Sequence, residues 1–126
     1  MIHKISADHL TIERIGEIIY GGLKIELSDD AVKRIERCRE YLDEKIRTSN
    51  QPVYGVTTGF GSLCNVSIGK DQLAQLQINL IKSHACGTGE RVPNDIVKIM
   101  MLLKIQSLSY GYSGCKVNTV EQLVRF

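Results

Sequence analysis

The chain has 126 residues, 43% of them hydrophobic, which is enough for one domain with a buried core. Its net charge is +2, and basic and acidic residues are interleaved, so the sequence offers no patch for nucleic acid or a membrane surface. No apolar run is long enough to cross a bilayer, and residues 1–15 carry charges where a signal peptide would be apolar. We therefore expect a soluble globular protein.

The four cysteines are scattered and form no Cys-x-x-Cys pair; they are Cys38, Cys64, Cys86 and Cys115. This usage is typical of a reducing compartment and predicts a cytoplasmic protein. His84 and Cys86 would provide two metal ligands, but no second pair exists to complete a tetrahedral site. The sequence therefore predicts no metal site.

The first part of the chain reads as a small mixed α/β lead-in over residues 1–27. Thr11 is placed to cap a helix with isoleucines along one face, and two glycines end it. Lys24–Leu27 alternates between polar and apolar residues, which predicts a short strand. Ser28 then caps a longer helix, the first of the helical part over residues 28–126.

Three further helices follow. One begins at Asp71 and ends near Cys86, and the next is capped by Asn94 and broken by a glycine-rich turn at residues 110–114. Asn118 and Glu121 have the spacing of a capping box for the last.

The helix that begins at Asn94 has few polar positions to face solvent. Residues 96–105 are apolar on nearly all sides, and the chain offers few helices to cover them. The last helix has only about two turns before the sequence stops. Together these features predict the front part of a larger, mainly α-helical protein.

Residues 52–62 are the most distinctive stretch. The three glycines are Gly55, Gly59 and Gly61, and the aromatic residues beside them are Tyr54 and Phe60. This composition predicts a short extended segment that turns into an aromatic loop. One alternative is an ordinary tight turn with two core aromatics. The other, a phosphate-binding loop, is disfavoured because no Gly-Lys-Ser/Thr follows.

His84 lies on one helix face with a set of apolar residues, which are Leu73, Leu76, Leu80 and Ile81. A single histidine on such a face is usually a core residue with its hydrogen bonds satisfied. The alternative is a ligand-binding residue, and periodicity alone leaves both open.

Three blocks, residues 53–61, 76–90 and 101–114, together resemble the aromatic amino acid ammonia-lyase family in order and spacing. The resemblance runs from about Leu23 to Phe126 and is closest to the histidine ammonia-lyases. It implies the amino-terminal portion of a large helical fold, with a glycine-rich tyrosine loop. It also implies a homotetramer that acts on a small amino acid.

The resemblance implies roles for individual residues. Ser83 and His84 match the pair that sorts substrates by side chain, and a Ser-His pair goes with L-histidine. Tyr54 matches the tyrosine that takes the β-proton. The loop around it is supported by the neighbouring positions Gly55, Gly59, Phe60 and Gly61. The implied reaction converts L-histidine to trans-urocanate and ammonia.

The family's electrophilic cofactor, 4-methylideneimidazol-5-one, forms from an Ala-Ser-Gly tripeptide. No Ala-Ser-Gly occurs in these 126 residues. We therefore expect the longer parent protein to be the lyase and this chain alone to be inactive. Two alternatives are a non-catalytic association module and an aminomutase of the same family.

Overall fold

The computed structural model describes residues 1–49, 51–59, 61 and 69–126. The chain forms two compact units. One contains Met1–Lys45 and Arg91–Phe126, and we call it the core unit. The other, Ile46–Glu90, contains the glycine-rich stretch, and we call it the loop unit.

The core unit begins with a parallel β-α-β arrangement. Strand β1 (Ile2–Ile5) pairs with strand β2 (Lys24–Leu27), and helix α1 (Ile12–Tyr20) connects them. The predicted strand Lys24–Leu27 is confirmed. Strand β1 was not predicted, because it has only four residues and its partner lies beyond a whole helix.

The remaining regular elements of the described residues are helices, so the predicted mainly α fold class is confirmed. The helices are α2 (Asp29–Thr48), α3 (Leu73–His84), α4 (Asn94–Ser109) and α5 (Val117–Arg125), and a short 3₁₀ turn (Lys70–Gln72) precedes α3. No helix among the described residues is long and apolar enough to span a membrane.

Two of the predicted helix caps are confirmed. Thr11 Oγ1 accepts a hydrogen bond from the backbone N–H of Arg14 at 3.2 Å. Ser28 Oγ accepts one from the N–H of Ala31 at 3.1 Å. Both hydroxyls satisfy N–H groups that the first helical turn leaves without a partner.

The later helix starts were predicted wrongly. Asp71 lies within the 3₁₀ turn that precedes α3. Asn94 is the first residue of α4, and Pro93 occupies the cap position before it. Helix α5 begins at Val117 without a side-chain cap, so the proposed capping box of Asn118 and Glu121 is not formed. Val117 packs against the core, and this burial outweighs the local preference of asparagine for a cap.

The hydrophobic core lies in the core unit, and its buried side chains come from strand β1 and from helices α1, α2, α4 and α5. They are Ile5, Ile18, Ile35, Leu102, Ile105, Leu108 and Val120. Gln106 is buried beside them, and its amide donates to the carbonyl oxygens of Ser6 (2.8 Å) and Asp8 (3.2 Å). These bonds hold the end of β1 against α4.

The turn after α4 is pressed onto α2. Gly111 has φ +76°, and a Cβ there would lie 2.7 Å from the carbonyl oxygen of Arg34. Gly114 has φ +63°, and its Cβ would lie 2.5 Å from Leu42 Cδ2. Both positions favour glycine for conformation, and Gly111 also requires it for space, because the nearest atom that its Cβ would meet belongs to the Arg34 backbone. The predicted break of the helix at residues 110–114 is confirmed.

The apolar helix α4 is covered only in part. Leu102 and Ile105 are buried, whereas Met100 is 62% exposed and Leu103 is 45% exposed. The expectation that this helix lacks cover within the chain is therefore confirmed for the described residues.

Candidate active site

The loop unit contains every predicted site residue that the structure describes. These are Tyr54, Gly55, Gly59, Gly61, Ser83 and His84. Phe60 lies outside the described residues.

Tyr54 lies in a compact turn that follows α2. The N–H groups of Val56 and Thr57 both donate to the carbonyl oxygen of Val53, at 3.0 and 2.9 Å. The Val53 N–H in turn donates to Thr57 Oγ1 at 2.8 Å. Gly55 has φ +69°, the left-handed conformation that glycine adopts without strain. The turn presents the Tyr54 side chain outward, and 64% of its surface is exposed.

Thr58 anchors this turn, a role that sequence reasoning missed. Its side chain is fully buried, and its Oγ1 accepts from the N–H of Gly55 (3.3 Å) while donating to the carbonyl oxygen of Gly59 (3.1 Å). The available signal was a threonine three residues after a glycine, because threonine hydroxyls commonly bind nearby backbone groups in turns.

The glycine-rich stretch is therefore a hydrogen-bonded turn with an outward tyrosine. The alternative of two core aromatics fails for Tyr54, which is exposed. Gly61 has φ +55°, so it also uses a conformation that favours glycine.

Ser83 and His84 form the end of helix α3. Ser83 Oγ donates to the carbonyl oxygen of Leu80 at 2.9 Å. His84 Nδ1 lies 2.8 Å from the same oxygen and 3.0 Å from Ser83 Oγ. Because a carbonyl oxygen can only accept, we assign the proton of the neutral imidazole to Nδ1. The lone pair is then on Nε2.

His84 is not a core residue. Its side chain is exposed, and no residue of α3, all of which is described, is buried. Leu73, Leu76 and Leu80 on the same face are only half-buried, and Ile81 is 70% exposed. The helix end thus places an imidazole and a hydroxyl side by side, a combination suited to hydrogen bonding with a planar polar ring.

The described residues contain no group of three histidine, cysteine, aspartate or glutamate side chains placed to hold a metal ion. The predicted site residues that the structure describes supply one phenol (Tyr54), one hydroxyl (Ser83) and one imidazole (His84). A phenol can transfer protons, and the other two can orient a polar ring.

The chain belongs to the aromatic amino acid lyase family, whose pattern matches residues 10–126. The match begins earlier than the resemblance read from the sequence motifs.

Within this family the chain is 46% identical over 126 residues to the histidine ammonia-lyase of Streptococcus gordonii, an alignment covering 98% of the chain and 24% of that protein. The crystal structure of histidine ammonia-lyase from Trypanosoma cruzi is 33% identical, with a TM-score of 0.83, over 99% of this chain and 24% of that one. Ergothionase from Treponema denticola has a TM-score of 0.93 at 24% identity, over 100% of this chain and 25% of that one. This last likeness is one of fold. The chain spans about a quarter of the length of the curated relatives it matches.

Proposed function

We propose that this chain is part of a longer histidine ammonia-lyase, which converts L-histidine to trans-urocanate and ammonia. The observation that carries the proposal is the Ser83–His84 pair, exposed at the end of α3 in a chain that is 46% identical to a histidine ammonia-lyase. The pair would bind the substrate side chain, and Tyr54 would act on the β-carbon.

The role of His84 follows from its tautomer. With the proton on Nδ1 donated to Leu80, Nε2 is an acceptor for an N–H of the substrate imidazole. A leucine at this position would leave that substrate N–H without a partner on binding. An unpaired buried polar group costs about 1–3 kcal/mol, which corresponds to roughly a 5- to 150-fold preference.

Ser83 orients the imidazole ring of His84. Its hydroxyl donates to Leu80 and lies beside the proton-bearing nitrogen of His84. This contact restricts the rotation of the imidazole, so the acceptor nitrogen keeps one direction before substrate arrives. We expect Ser83 to contribute less than His84, because it acts on the substrate through the orientation of the ring.

Tyr54 is proposed as the base that removes the β-proton. Its turn is closed by backbone bonds to Val53 and is anchored by Thr58, while the phenol itself points outward. A fixed backbone with an outward side chain suits a general base that meets a substrate bound elsewhere in the site.

The family cofactor, 4-methylideneimidazol-5-one, is an electrophile that activates the amino group for departure. The residues of this chain do not fit its formation, because no Ala-Ser-Gly is present in the 126 residues. Another segment of the longer protein would therefore supply the group. We also propose that the longer protein is a homotetramer and that it lies in the cytoplasm. The described cysteines support a reducing compartment, because all of them are unpaired; they are Cys38, Cys86 and Cys115.

The test begins with the gene. We expect the reading frame to continue past Phe126 into an Ala-Ser-Gly tripeptide and further helical sequence. The longer protein should release urocanate from L-histidine, whereas the purified 126-residue chain should form none above background. A stop codon directly after Phe126 would overturn the enzymatic proposal and favour the association module. In that case the chain should elute as a discrete oligomer.

The substrate assignment is tested in the longer protein. His84→Leu should lower kcat/KM for L-histidine by about 5- to 150-fold and raise it for L-phenylalanine or L-tyrosine. Ser83→Ala should lower it less, and Gln75→Ala, which replaces an exposed residue on the opposite side of α3, serves as the control. An unchanged substrate preference in His84→Leu would contradict the assignment. A β-amino acid product in place of urocanate would identify an aminomutase.

A further inference from the structure

A concave surface lies in the core unit, and none of the residues proposed for catalysis contributes to its lining. It is a cleft of about 740 Å³ between α2 and the turn that follows α4. Three cations and three tyrosines dominate its lining: Lys33, Arg34, Arg37, Tyr41, Tyr110 and Tyr112. We call this surface the basic tyrosine cleft.

The positive charge of the cleft is concentrated in one row of α2. Lys33, Arg37 and Tyr41 are spaced four residues apart, so they follow one face of the helix. Arg34 forms an ion pair with Asp30, but neither Lys33 nor Arg37 has an ion-pair partner among the described residues. Asp30 also lines the cleft, and its charge is taken up by Arg34, so Lys33 and Arg37 are the two cations of the lining beyond that pair.

The opposite wall is held in place by α2 itself. The backbone of Gly111 is pressed against that of Arg34. Arg39 donates from Nη1 to the carbonyl oxygen of Gly114 at 3.2 Å, and the N–H of Gly114 donates to Cys38 Sγ at 3.2 Å. These contacts fix the backbone that carries Tyr110 and Tyr112. A preformed surface loses less conformational entropy when it binds a partner.

The tyrosines are unusually accessible for large aromatic side chains. Tyr112 is 90% exposed, Tyr41 is 67% exposed and Tyr110 is 38% exposed. Tyrosine and arginine are the residue types enriched at protein–protein interfaces and at their energetic hot spots. A small inorganic anion would use the two cations and leave the three rings without a function. A polypeptide with both carboxylates and an apolar side chain would use all of them.

We propose that the basic tyrosine cleft docks an acidic segment of a partner protein. Two carboxylates of the segment, one helical turn apart, would pair with Lys33 and Arg37, because those cations are also one turn apart. An apolar side chain between them would pack on the rings of Tyr110 and Tyr112. This docking is independent of the proposed lyase activity.

The probe is a synthetic helical peptide with glutamates four residues apart on either side of a leucine. It is titrated into the 126-residue chain at low ionic strength and followed by amide NMR shifts. We expect saturable shifts confined to residues 30–41 and 110–114, and none with a matched peptide in which glutamines replace the glutamates. Raising the salt from about 10 mM to about 150 mM should weaken binding, because it shortens the Debye length from about 30 Å to about 8 Å.

Two pairs of variants assign the binding to the cleft. Lys33→Gln combined with Arg37→Gln should weaken the peptide about tenfold, since each exposed ion pair contributes a few-fold. Lys4→Gln combined with Lys24→Gln removes the same charge from the exposed strand positions and should have little effect. Likewise Tyr112→Ala should weaken binding, whereas Tyr20→Ala, an exposed tyrosine outside the cleft, should not.

Equal weakening by the Lys33/Arg37 and the Lys4/Lys24 double variants would overturn the proposal, because binding would then depend only on the net charge of the protein. Binding of inorganic phosphate to the same residues, with no tighter binding of the peptide, would also overturn it and make the cleft a small-anion site. All substituted side chains are exposed or line the open cleft, so unchanged amide dispersion is the check that each variant is folded.

Discussion

The two units of the chain differ in how completely they bury their apolar residues. The core unit encloses seven hydrophobic side chains from its strands and helices. In the loop unit, helix α3 contains no buried residue, although half of its twelve residues are apolar. The described site residues all lie in the loop unit. The difference shows that the chain's stability and its proposed chemistry reside in separate segments, since exposed and weakly packed elements commonly carry function.

The largest expected effect contrasts one isoleucine from each unit. Ile105→Ala in the core unit should cost about 2–5 kcal/mol, because Ile105 is 1% exposed and its loss leaves a cavity. Ile81→Ala in α3 should change the free energy of unfolding by less than about 0.5 kcal/mol, because Ile81 is 70% exposed. Urea unfolding measures both. Similar losses at the two positions would contradict the division into a packed and an unpacked unit.

A second contrast uses two glycines of the core unit. Gly111→Ala should destabilise the protein by about 2–3 kcal/mol, because it adds strain at φ +76° and a Cβ only 2.7 Å from the Arg34 carbonyl oxygen. Gly16→Ala should instead stabilise by about 0.5–1 kcal/mol, because Gly16 lies within α1 with open space around it. The melting temperatures should therefore shift in opposite directions. A neutral Gly111→Ala variant would show that the turn is not pressed onto α2.

In the loop unit the sensitive position is a hydroxyl. Thr58→Val should weaken the tyrosine turn by about 1 kcal/mol, because it removes the acceptor for Gly55 N–H and the donor to Gly59. Faster hydrogen exchange of the Gly55 amide is the expected readout, with exchange in α4 unchanged. Unaltered exchange at Gly55 would rule out the anchoring role of Thr58.

The smallest expected effect is a pH dependence in the core unit. Burial and the neighbouring Arg14 guanidinium lower the pKa of His3 below its ordinary value of 6.5. Arg14 Nε donates to His3 Nδ1 at 3.1 Å, and a protonated Nδ1 can no longer accept this bond. The folded state therefore binds this proton less readily than the unfolded state. Its contribution to stability is complete above pH 6.5 and is lost as the pH falls through the pKa of the folded state.

The size of this loss should stay below about 1 kcal/mol, because His3 is only partly buried and solvent screens its interactions. His3→Gln should reduce the slope of stability against pH below 6.5. His9→Gln, which replaces an exposed histidine, is the control. An identical slope in the His3 variant would refute the link.

Local patterns were sufficient wherever a short segment decides its own conformation. The hydroxyls of Thr11 and Ser28 cap the helices they precede, and the glycine-rich turn ends α4. Prediction failed where distant packing decides. Strand β1 requires β2 on the far side of α1, and the burial of Val117 moves the start of α5 away from Asn118.

The sequence by itself determined the mainly helical class and the family, because three motifs in the right order are specific where each alone is not. It also determined which residues are candidates for chemistry. Only the tertiary structure decided that His84 is exposed and bonded through Nδ1 to Leu80, and that Thr58 anchors the Tyr54 turn. It likewise brought the backbone of Gly111 against α2, because a close approach between residues far apart in the chain depends on packing, which periodicity does not encode.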